Sequence, residues 1–300
     1  MRKKLALLGL GAAALFGCRN DTTSPIKDLA GVVQDLSMTP SDGPVGCTDN
    51  CDGPVMMGAT IHDIDVGNIQ GNTMVTITGV VLTGIANGQG HSKSSMKCEY
   101  DAYVQDPNGT APDGIRLFAT GGTCTPVDGG SCKCPYPPKS GTILDQLSPP
   151  NNDLGSILTI TGTASTYNPM IPDAGLGPTQ HEIDLNKGGA IMVTGTGGTV
   201  APYVDANGSD FAVNGPGYVM YESMLVTIMP ASPAQTSALD KFRGFTYAGA
   251  YFSGDYNFVY AAGNMGMYPP AGATFKSITG IAEPSFGGGV APRVMGDFQQ

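Results

Sequence analysis

Glycine and proline interrupt this chain so often that long helices are disfavoured. The 300 residues include 44 glycines and 23 prolines, which together approach the share at which low complexity begins. Charged residues make up 13% of the chain, about half of the usual ~25%, and this also disfavours long solvated helices. Apolar residues reach 41%, enough for a substantial core. The composition therefore predicts a turn-rich all-β protein.

Short segments that alternate apolar and polar residues support this prediction. Turn signals separate them, such as Asp-Pro-Asn-Gly at 106–109 and Asn-Gly at 207–208. The predicted strands are 74–81, 100–105, 115–118, 157–164, 191–194, 224–229, 245–251, 256–260 and 275–281.

One strand pattern recurs along the chain. Val75-Thr-Ile-Thr-Gly79 returns as Leu158-Thr-Ile-Thr-Gly162, and looser copies occupy 224–228 (Met-Leu-Val-Thr-Ile) and 276–280 (Lys-Ser-Ile-Thr-Gly). This order favours two units, each of which opens and closes with the same kind of strand. A glycine that closes such a strand suits a bend or bulge at the corner of a small barrel.

The first 17 residues form a candidate targeting signal. Basic residues at 2–4 precede an apolar run over 5–16 that is too short to span a bilayer. The run ends in Leu15-Phe16-Gly17-Cys18, which resembles the lipobox of bacterial lipoproteins. The resemblance implies cleavage before Cys18 and acylation of that cysteine, which gives stable membrane anchoring. The residue after it is Arg19, which by the sorting rules of enteric bacteria favours the outer membrane of a Gram-negative envelope. The alternative is a general secretory signal with an incidental cysteine.

Removal of such a signal makes the chain more acidic. The full sequence has a net charge of −10, and the residues after position 17 carry 12 Lys and Arg against 25 Asp and Glu, a net charge of −13. The remaining cations are scattered, so anionic partners such as nucleic acid gain nothing from the field of the protein.

Six further cysteines indicate disulfide bonds, because an even number in an exported protein is typical of them. They are Cys47, Cys51, Cys98, Cys124, Cys132 and Cys134. Cys132 and Cys134 are so close in sequence that each is expected to bond elsewhere, with Cys98 and Cys124 as candidate partners. Zinc binding and free thiols are the alternatives, but neither Cys-x3-Cys nor Cys-x-Cys has the usual zinc-ligand spacing.

The first unit carries four motifs in succession: Val75-Thr-Ile-Thr-Gly-Val-Val81, Tyr103-Val-Gln-Asp-Pro-Asn-Gly109, Gly114-Ile-Arg-Leu-Phe118 and Leu158-Thr-Ile-Thr-Gly-Thr163. This succession resembles the OB-fold-like domains of bacterial secreted nucleases and cell-surface proteins. Tyr221-Glu-Ser-Met-Leu-Val-Thr227 resembles the opening of a second such unit, and segments between 275 and 293 resemble its close. A Cys- and Pro-rich insertion over about 120–150 departs from the pattern, and the metallonuclease domain that often accompanies such modules is not part of this sequence.

The resemblance implies an all-β protein with two tandem small OB-like β-barrels after a signal peptide and a disordered tether. We expect a signal peptide over 1–17 and a flexible tether, rich in Asp, Ser, Thr, Pro and Gly, over 18–57. An OB-like domain with the Cys-rich insertion is expected over 58–200, and a second, diverged OB-like domain over 201–300.

No catalytic motif is recognisable, and we predict no catalytic residue, metal ligand or cofactor. The histidines His62, His91 and His181 are interpreted as surface residues. His181 and Glu182 are neighbours in sequence, but adjacent residues of a strand point to opposite faces. The segment 205–210 (Asp-Ala-Asn-Gly-Ser-Asp) spaces oxygen ligands as calcium loops do, but it lacks the downstream Glu, so an Asx-rich turn is favoured.

Aromatic residues concentrate in one segment, where nine of the 22 lie between Phe242 and Tyr268. An OB surface binds oligonucleotides or oligosaccharides by stacking them on exposed rings. The candidate ligand platform consists of Tyr256, Phe258, Tyr260, Lys241 and Arg243. We favour the alternative that most of these rings fill the core of the second barrel, since the chain has no Trp.

These features predict a non-catalytic envelope lipoprotein that binds or scaffolds a glycan, a peptide or a protein. The alternatives are an accessory module for single-stranded nucleic acid, which the acidic charge disfavours, and an enzyme whose site is not recognisable from sequence.

Overall fold

The computed structural model describes a fold built almost entirely of strands. The described residues are 55–85, 90–91, 97–109, 112–123, 125–126, 132–133, 146–147, 154–168, 170–171, 175–176, 179–213, 215–240, 244–252, 269–284 and 288–300. The prediction of an all-β protein is confirmed.

Two short helices interrupt the strands: α1 (Ile61–Asp65) and α2 (Gly217–Met220), with a 3-10 turn at Met295–Asp297. The strands are β1 (Met56–Met57), β2 (Met74–Ile85), β3 (Gly90–His91), β4 (Lys97–Gln105), β5 (Gly114–Thr123), β6 (Thr125–Pro126), β7 (Cys132–Lys133), β8 (Ile157–Tyr167), β9 (Met170–Ile171), β10 (Gly175–Leu176), β11 (Gln180–Asp184), β12 (Ala190–Gly195), β13 (Tyr203–Asp205), β14 (Leu225–Ile228), β15 (Ala234–Gln235), β16 (Phe245–Tyr247), β17 (Ala250–Phe252), β18 (Thr274–Phe275), β19 (Ser277–Glu283), β20 (Gly289–Ala291) and β21 (Phe298–Gln299). Neither helix of the described chain is long and apolar enough to cross a membrane.

The first sheet contains five long pairings that return to their starting strand. β2 pairs antiparallel with β4, and β4 pairs antiparallel with β5. β5 runs parallel to β11, β11 pairs antiparallel with β8, and β8 pairs antiparallel with β2. β1 lies parallel to β2, so the sheet begins at Met56, one residue before the predicted end of the tether.

The second sheet has the order β13-β14-β19-β20-β17-β16, with β21 paired to β19. Its first strands repeat the arrangement of the first sheet, because β13 runs parallel to β14 and β14 pairs antiparallel with β19. The same relation links β1, β2 and β8 in the first sheet.

The recurring sequence pattern pairs with itself in each sheet. In β2 and β8, Ile77 lies opposite Ile160, and the Thr76 and Thr161 hydroxyls hydrogen-bond at 2.9 Å. In β14 and β19, the Thr227 and Thr279 hydroxyls lie opposite and bond at 2.8 Å. The copies of the pattern are therefore hydrogen-bonded neighbours in each sheet, whereas the division of the chain into two units stays a prediction.

The glycines of this pattern serve two different purposes. Gly79 has a φ of +77° and sits where the register of β2 shifts against β8, which is the bulge expected from the sequence. Gly162 has no room for a side chain, since an added Cβ would lie 2.4 Å from Cγ2 of Ile183. Gly162 thus permits β8 to approach β11 closely.

Each sheet packs on an apolar core, and the first core includes residues from the second half of the chain. Leu225, Ile281 and Ala291 pack into the cluster built mainly on β2, β4, β5 and β8. The second core is aromatic, and its fully buried rings include Phe211, Phe245, Tyr247 and Phe252. Asp52–Gln300 accordingly forms one compact unit. The domain boundary at 200/201 stays a prediction.

The prediction of a single strand over 245–251 is wrong. β16 and β17 form a hairpin, in which Phe245 lies opposite Phe252. Ala248 and Gly249 have φ values of +49° and +90°, and two consecutive residues in this region reverse the chain.

Candidate functional site

A cluster of two carboxylates and one histidine lies where the two sheets meet. It consists of Asp65, His181 and Glu222, and one ligand atom from each residue lies within 4.8 Å of the others. Asp65 ends α1, between β1 and β2 of the first sheet, His181 belongs to β11 of that sheet, and Glu222 precedes β14 of the second sheet. We call this group the junction cluster.

A capped helical turn holds Asp65. Thr60 begins α1 through a capping box, in which its hydroxyl accepts from the backbone N–H of Asp63 at 3.1 Å and its own N–H donates to the Asp63 carboxylate. Ile61 and Ile64 are buried and fix α1 against the first core. Asp65 is the last residue of this turn, and only 2% of its side chain is exposed.

A central strand holds His181. β11 lies between β5 and β8, so both edges of its backbone are paired. The Glu182 side chain lies on one face of β11, where it bonds to Arg116. The His181 side chain lies on the opposite face of the strand. His181 retains 25% exposure of its side chain.

A strained turn holds Glu222. Ser223 is fully buried with a φ of +60°, which is uncommon for a residue other than glycine. Its N–H donates to the carbonyl of Ala282 at 2.8 Å, and its hydroxyl accepts from Nε2 of Gln180 at 3.4 Å. These contacts place the Glu222 carboxylate against β11.

Hydrogen bonding in the junction cluster is incomplete. Oε1 of Glu222 accepts from the backbone N–H of His181 at 3.2 Å and lies 2.5 Å from Nδ1 of its ring. Nδ1 also lies 3.7 Å from Oδ1 of Asp65. Both carboxylate oxygens of Asp65 and Oε2 of Glu222 are buried without a hydrogen-bond partner.

Burial and like charges determine the protonation of the site. Burial, followed by the charges of Glu222 and Asp113, raises the pKa of Asp65 to about 9. Burial and the charge of Asp106 also raise the pKa of Asp113 to about 6, against an opposing contribution from His62. Without a cation, Asp65 therefore holds a proton at neutral pH.

The interpretation of His181 as a surface residue holds only in part, because 25% of its side chain is exposed while its ring also contacts the buried Glu222 carboxylate. Glu222 lies 41 residues away in sequence, and no local pattern links them. His62 is exposed, as predicted. For His91, only the backbone in β3 is described.

A second charged cluster, around Arg116, is fully bonded and is therefore structural. Nε of Arg116 donates to Oδ1 of Asp101 at 2.8 Å, and Nη1 donates to Oε2 of Glu182 at 2.9 Å. The guanidinium also lies over the rings of Phe118 and Tyr167, 5.1 and 4.8 Å from their centroids.

The segment 205–210 forms an Asx turn. Oδ1 of Asp205 accepts from the backbone N–H groups of Asn207 and Gly208, both at 3.0 Å, and Oδ2 accepts from the N–H of Asp210 at 3.1 Å. This is the turn that the sequence favoured over a calcium loop.

Most other predicted site residues lie outside the described residues. These are Cys18, Cys47, Cys51, Cys124, Cys134, Lys241, Arg243, Tyr256, Phe258 and Tyr260, together with the signal peptide and the tether up to residue 54. Cys98 is fully buried in β4 and disulfide-bonded, and for Cys132 only the backbone in β7 is described. The pairing of the cysteines stays a prediction.

Comparison of the chain with known protein families, curated proteins and solved structures finds no match.

Proposed function

We propose that this chain is a lipid-anchored protein of a Gram-negative cell envelope that acts as a non-catalytic binding or scaffolding module. Its partner is a glycan, a peptide or a protein. The anchor rests on the lipobox-like Leu15-Phe16-Gly17-Cys18 at the end of a short apolar run. The outer membrane is the proposed location, because Arg19 follows the acylated cysteine.

The cycle of strand pairings in the first sheet is the observation that supports a binding module. β2, β4, β5, β11 and β8 pair in a cycle, with β5 and β11 parallel. We propose that this cycle closes a five-stranded Greek-key barrel, the OB-fold, which is a common platform for oligosaccharides and oligonucleotides. The bulge at Gly79 supports this assignment, since bulges bend strands at barrel corners.

The second sheet supports a tandem arrangement. β13, β14 and β19 repeat the pairing of β1, β2 and β8, and the Thr227–Thr279 pair repeats Thr76–Thr161. We propose that it is a diverged OB-like unit. Of the four described aromatic residues of the segment 242–268, Phe245, Tyr247 and Phe252 are buried and Tyr251 is partly exposed. This supports the favoured interpretation that most rings of this segment fill a core.

Acylation of Cys18 tests the anchor. We expect cells that express the full chain to incorporate labelled palmitate into it and to retain it in the membrane fraction. Cys18→Ser should abolish both, whereas Cys47→Ser, a matched control outside the lipobox, should abolish neither. A wild-type chain that takes up no label, or a Cys18→Ser protein that keeps its label, would refute the lipid anchor at Cys18.

Oligonucleotide binding tests the alternative function. The ring of pairings also suits an accessory module for single-stranded nucleic acid. The acidic chain, with 25 Asp and Glu among its residues, disfavours such a ligand. We expect no binding of labelled single-stranded oligonucleotides even at low salt. Tight binding that weakens steeply with salt would replace the glycan, peptide or protein partner with nucleic acid.

A further inference from the structure

We propose that Asp65, His181 and Glu222 bind a divalent transition-metal ion of the Zn²⁺ type. This metal site does not depend on the proposed function. It is also independent of the cysteines, which the sequence offered as an alternative zinc site.

The donor set suits such an ion. Zinc binds imidazole nitrogen and carboxylate oxygen, and three protein ligands with one open position are common in its non-structural sites. Carboxylates alone favour Mg²⁺ or Ca²⁺, whereas an imidazole shifts the preference towards Zn²⁺ and its neighbours in the first transition row. The junction cluster supplies one imidazole and two carboxylates.

Unpartnered oxygens are the observation that points to a ligand. The side chains of Asp65 and Glu222 are 2% and 4% exposed, and three of their four oxygens have no hydrogen-bond partner. A buried polar atom in this state is costly, and such atoms are rare in folded proteins. A bound cation would supply the partner that the carboxylates of Asp65 and Glu222 lack.

Two other buried carboxylates of the described residues, Asp205 and Asp297, have both oxygens hydrogen-bonded. Asp297 accepts from the backbone N–H groups of Arg293 and Val294 and from the Arg293 guanidinium. Oδ1 and Oδ2 of Asp205 accept three backbone N–H groups. One more buried carboxylate oxygen of the described residues, Oδ2 of Asp113, has no hydrogen-bond partner. The charge of Asp113 acts on Asp65, so the electrostatic surroundings of the junction cluster favour a cation.

The spacing of the donors is close to that of a metal site. Ligand atoms of a tetrahedral zinc ion lie roughly 3.4 Å apart, given zinc–ligand distances of about 2.0–2.2 Å. Nδ1 of His181 lies 3.7 Å from Oδ1 of Asp65, so this pair needs little movement. Nδ1 lies 2.5 Å from Oε1 of Glu222, so the Glu222 carboxylate has to retreat or rotate when the ion enters. The partly exposed ring of His181 leaves a route for the ion and a position for water.

Zinc titration of the full-length chain, purified in detergent and freed of metal by chelation, tests the site. We expect one Zn²⁺ per chain in addition to any bound by cysteines, and a rise of the thermal midpoint by roughly 5–10 °C at a free Zn²⁺ concentration 100 times its Kd. Glu222→Gln and His181→Ala should each weaken this binding roughly 100-fold or more, beyond the roughly 10–100-fold typical of changes outside the ligand set. His62→Ala is the matched control, because His62 is exposed beside the site, and it should leave binding unchanged.

If a variant fails to fold, cobalt spectroscopy of the wild-type chain still tests which side chains bind the metal. Co²⁺ bound by nitrogen and oxygen gives a spectrum without the intense thiolate charge-transfer band that cysteine ligands produce. We expect the nitrogen and oxygen spectrum, and its loss on addition of Zn²⁺ but not of excess Ca²⁺. A thiolate band alone, equal binding by the His181→Ala protein, or no bound metal would each overturn the proposal.

Discussion

At the residue scale, the hydrogen bonding of buried carboxylates separates those that stabilise the fold from those of the proposed metal site. Asp205 and Asp297 have their oxygens bonded by neighbouring N–H groups. Both oxygens of Asp65, and one oxygen each of Asp113 and Glu222, have no hydrogen-bond partner. The sequence alone cannot separate these two groups, because the difference lies in which distant donors reach each oxygen.

Asp113 makes the stability of the metal-free protein depend on pH. Its pKa is about 6 in the folded protein and 3.8 in the reference state, so the folded state binds its proton more tightly. The resulting stability is fully present below about pH 4 and is lost as the pH rises through about 6. Asp113→Asn should remove this part of the loss and leave the part due to Asp65, whose pKa burial also raises. Urea unfolding of both proteins between pH 4 and 7 would measure the difference.

A second substitution checks the origin of that pH dependence. The charge of Asp106 is the second cause of the raised pKa of Asp113, after burial. Asp106→Asn should therefore move the loss of stability to lower pH without abolishing it. An unchanged pH profile in the Asp113→Asn protein would show that another group is responsible.

At the element scale, the parallel pairing of β5 with β11 depends on buried charge. Arg116 of β5 lies opposite Glu182 of β11 and also bonds to Asp101 of β4. The guanidinium thus connects three neighbouring strands on one face of the sheet. Burial alone would lower the pKa of Arg116, but the two carboxylates outweigh it and raise the pKa.

Removal of Arg116 should destabilise the protein strongly. Arg116→Met leaves the carboxylates of Asp101 and Glu182 near each other without a counterion, and we expect a loss of roughly 3–5 kcal/mol in the free energy of unfolding at pH 7. Arg116→Lys should lose less, because it keeps the charge but not the two-pronged geometry or the ring contacts. Urea unfolding measures both.

Addition of Glu182→Gln to the Arg116→Met protein supplies the control. It removes one of the two stranded charges and should recover part of the loss, so the two changes should not be additive. Additive losses would mean that the charges do not interact.

The strands that carry apolar alternation could be predicted from sequence, and β11 could not. β2, β4, β5, β8, β12 and β14 all overlap predicted strands. β11 reads Gln-His-Glu-Ile-Asp, with four polar residues in five, and it forms because β5 and β8 pair with both of its edges. Because β11 was not among the predicted strands, the position of His181 in the junction cluster could not be predicted either.

At the scale of the whole molecule, the two sheets share contacts that independent domains would lack. Leu225 and Ile281 pack into the first core, and the N–H of Leu225 donates to Oε1 of Gln105 at 3.0 Å. Nη1 of Arg293 donates to the carbonyl of Thr83 at 3.0 Å. The strand pattern predicted two units, but no sequence pattern indicated how firmly they are joined.

Thermal unfolding of Asp52–Gln300 within the full chain should therefore be a single transition. At roughly 0.7 kcal/mol per residue, a unit of this size absorbs roughly 170 kcal/mol near 60 °C. We expect calorimetry to give this value with an equal van't Hoff enthalpy. Two peaks, each with about half of the enthalpy, would show that the sheets unfold separately.

The self-pairing strand pattern also creates a folding problem that the bulge at Gly79 helps to solve. β2, β8, β14 and β19 carry similar sequences, so an unfinished chain can pair β2 with β19 as readily as with β8. The register of β2 shifts at Gly79, whereas no shift interrupts the pairing of β14 with β19. A strand with this bulge fits the register of β8 and not that of an uninterrupted partner. The bulge thus favours the pairing of β2 with β8 and disfavours exchange of strands between the two halves or between two chains.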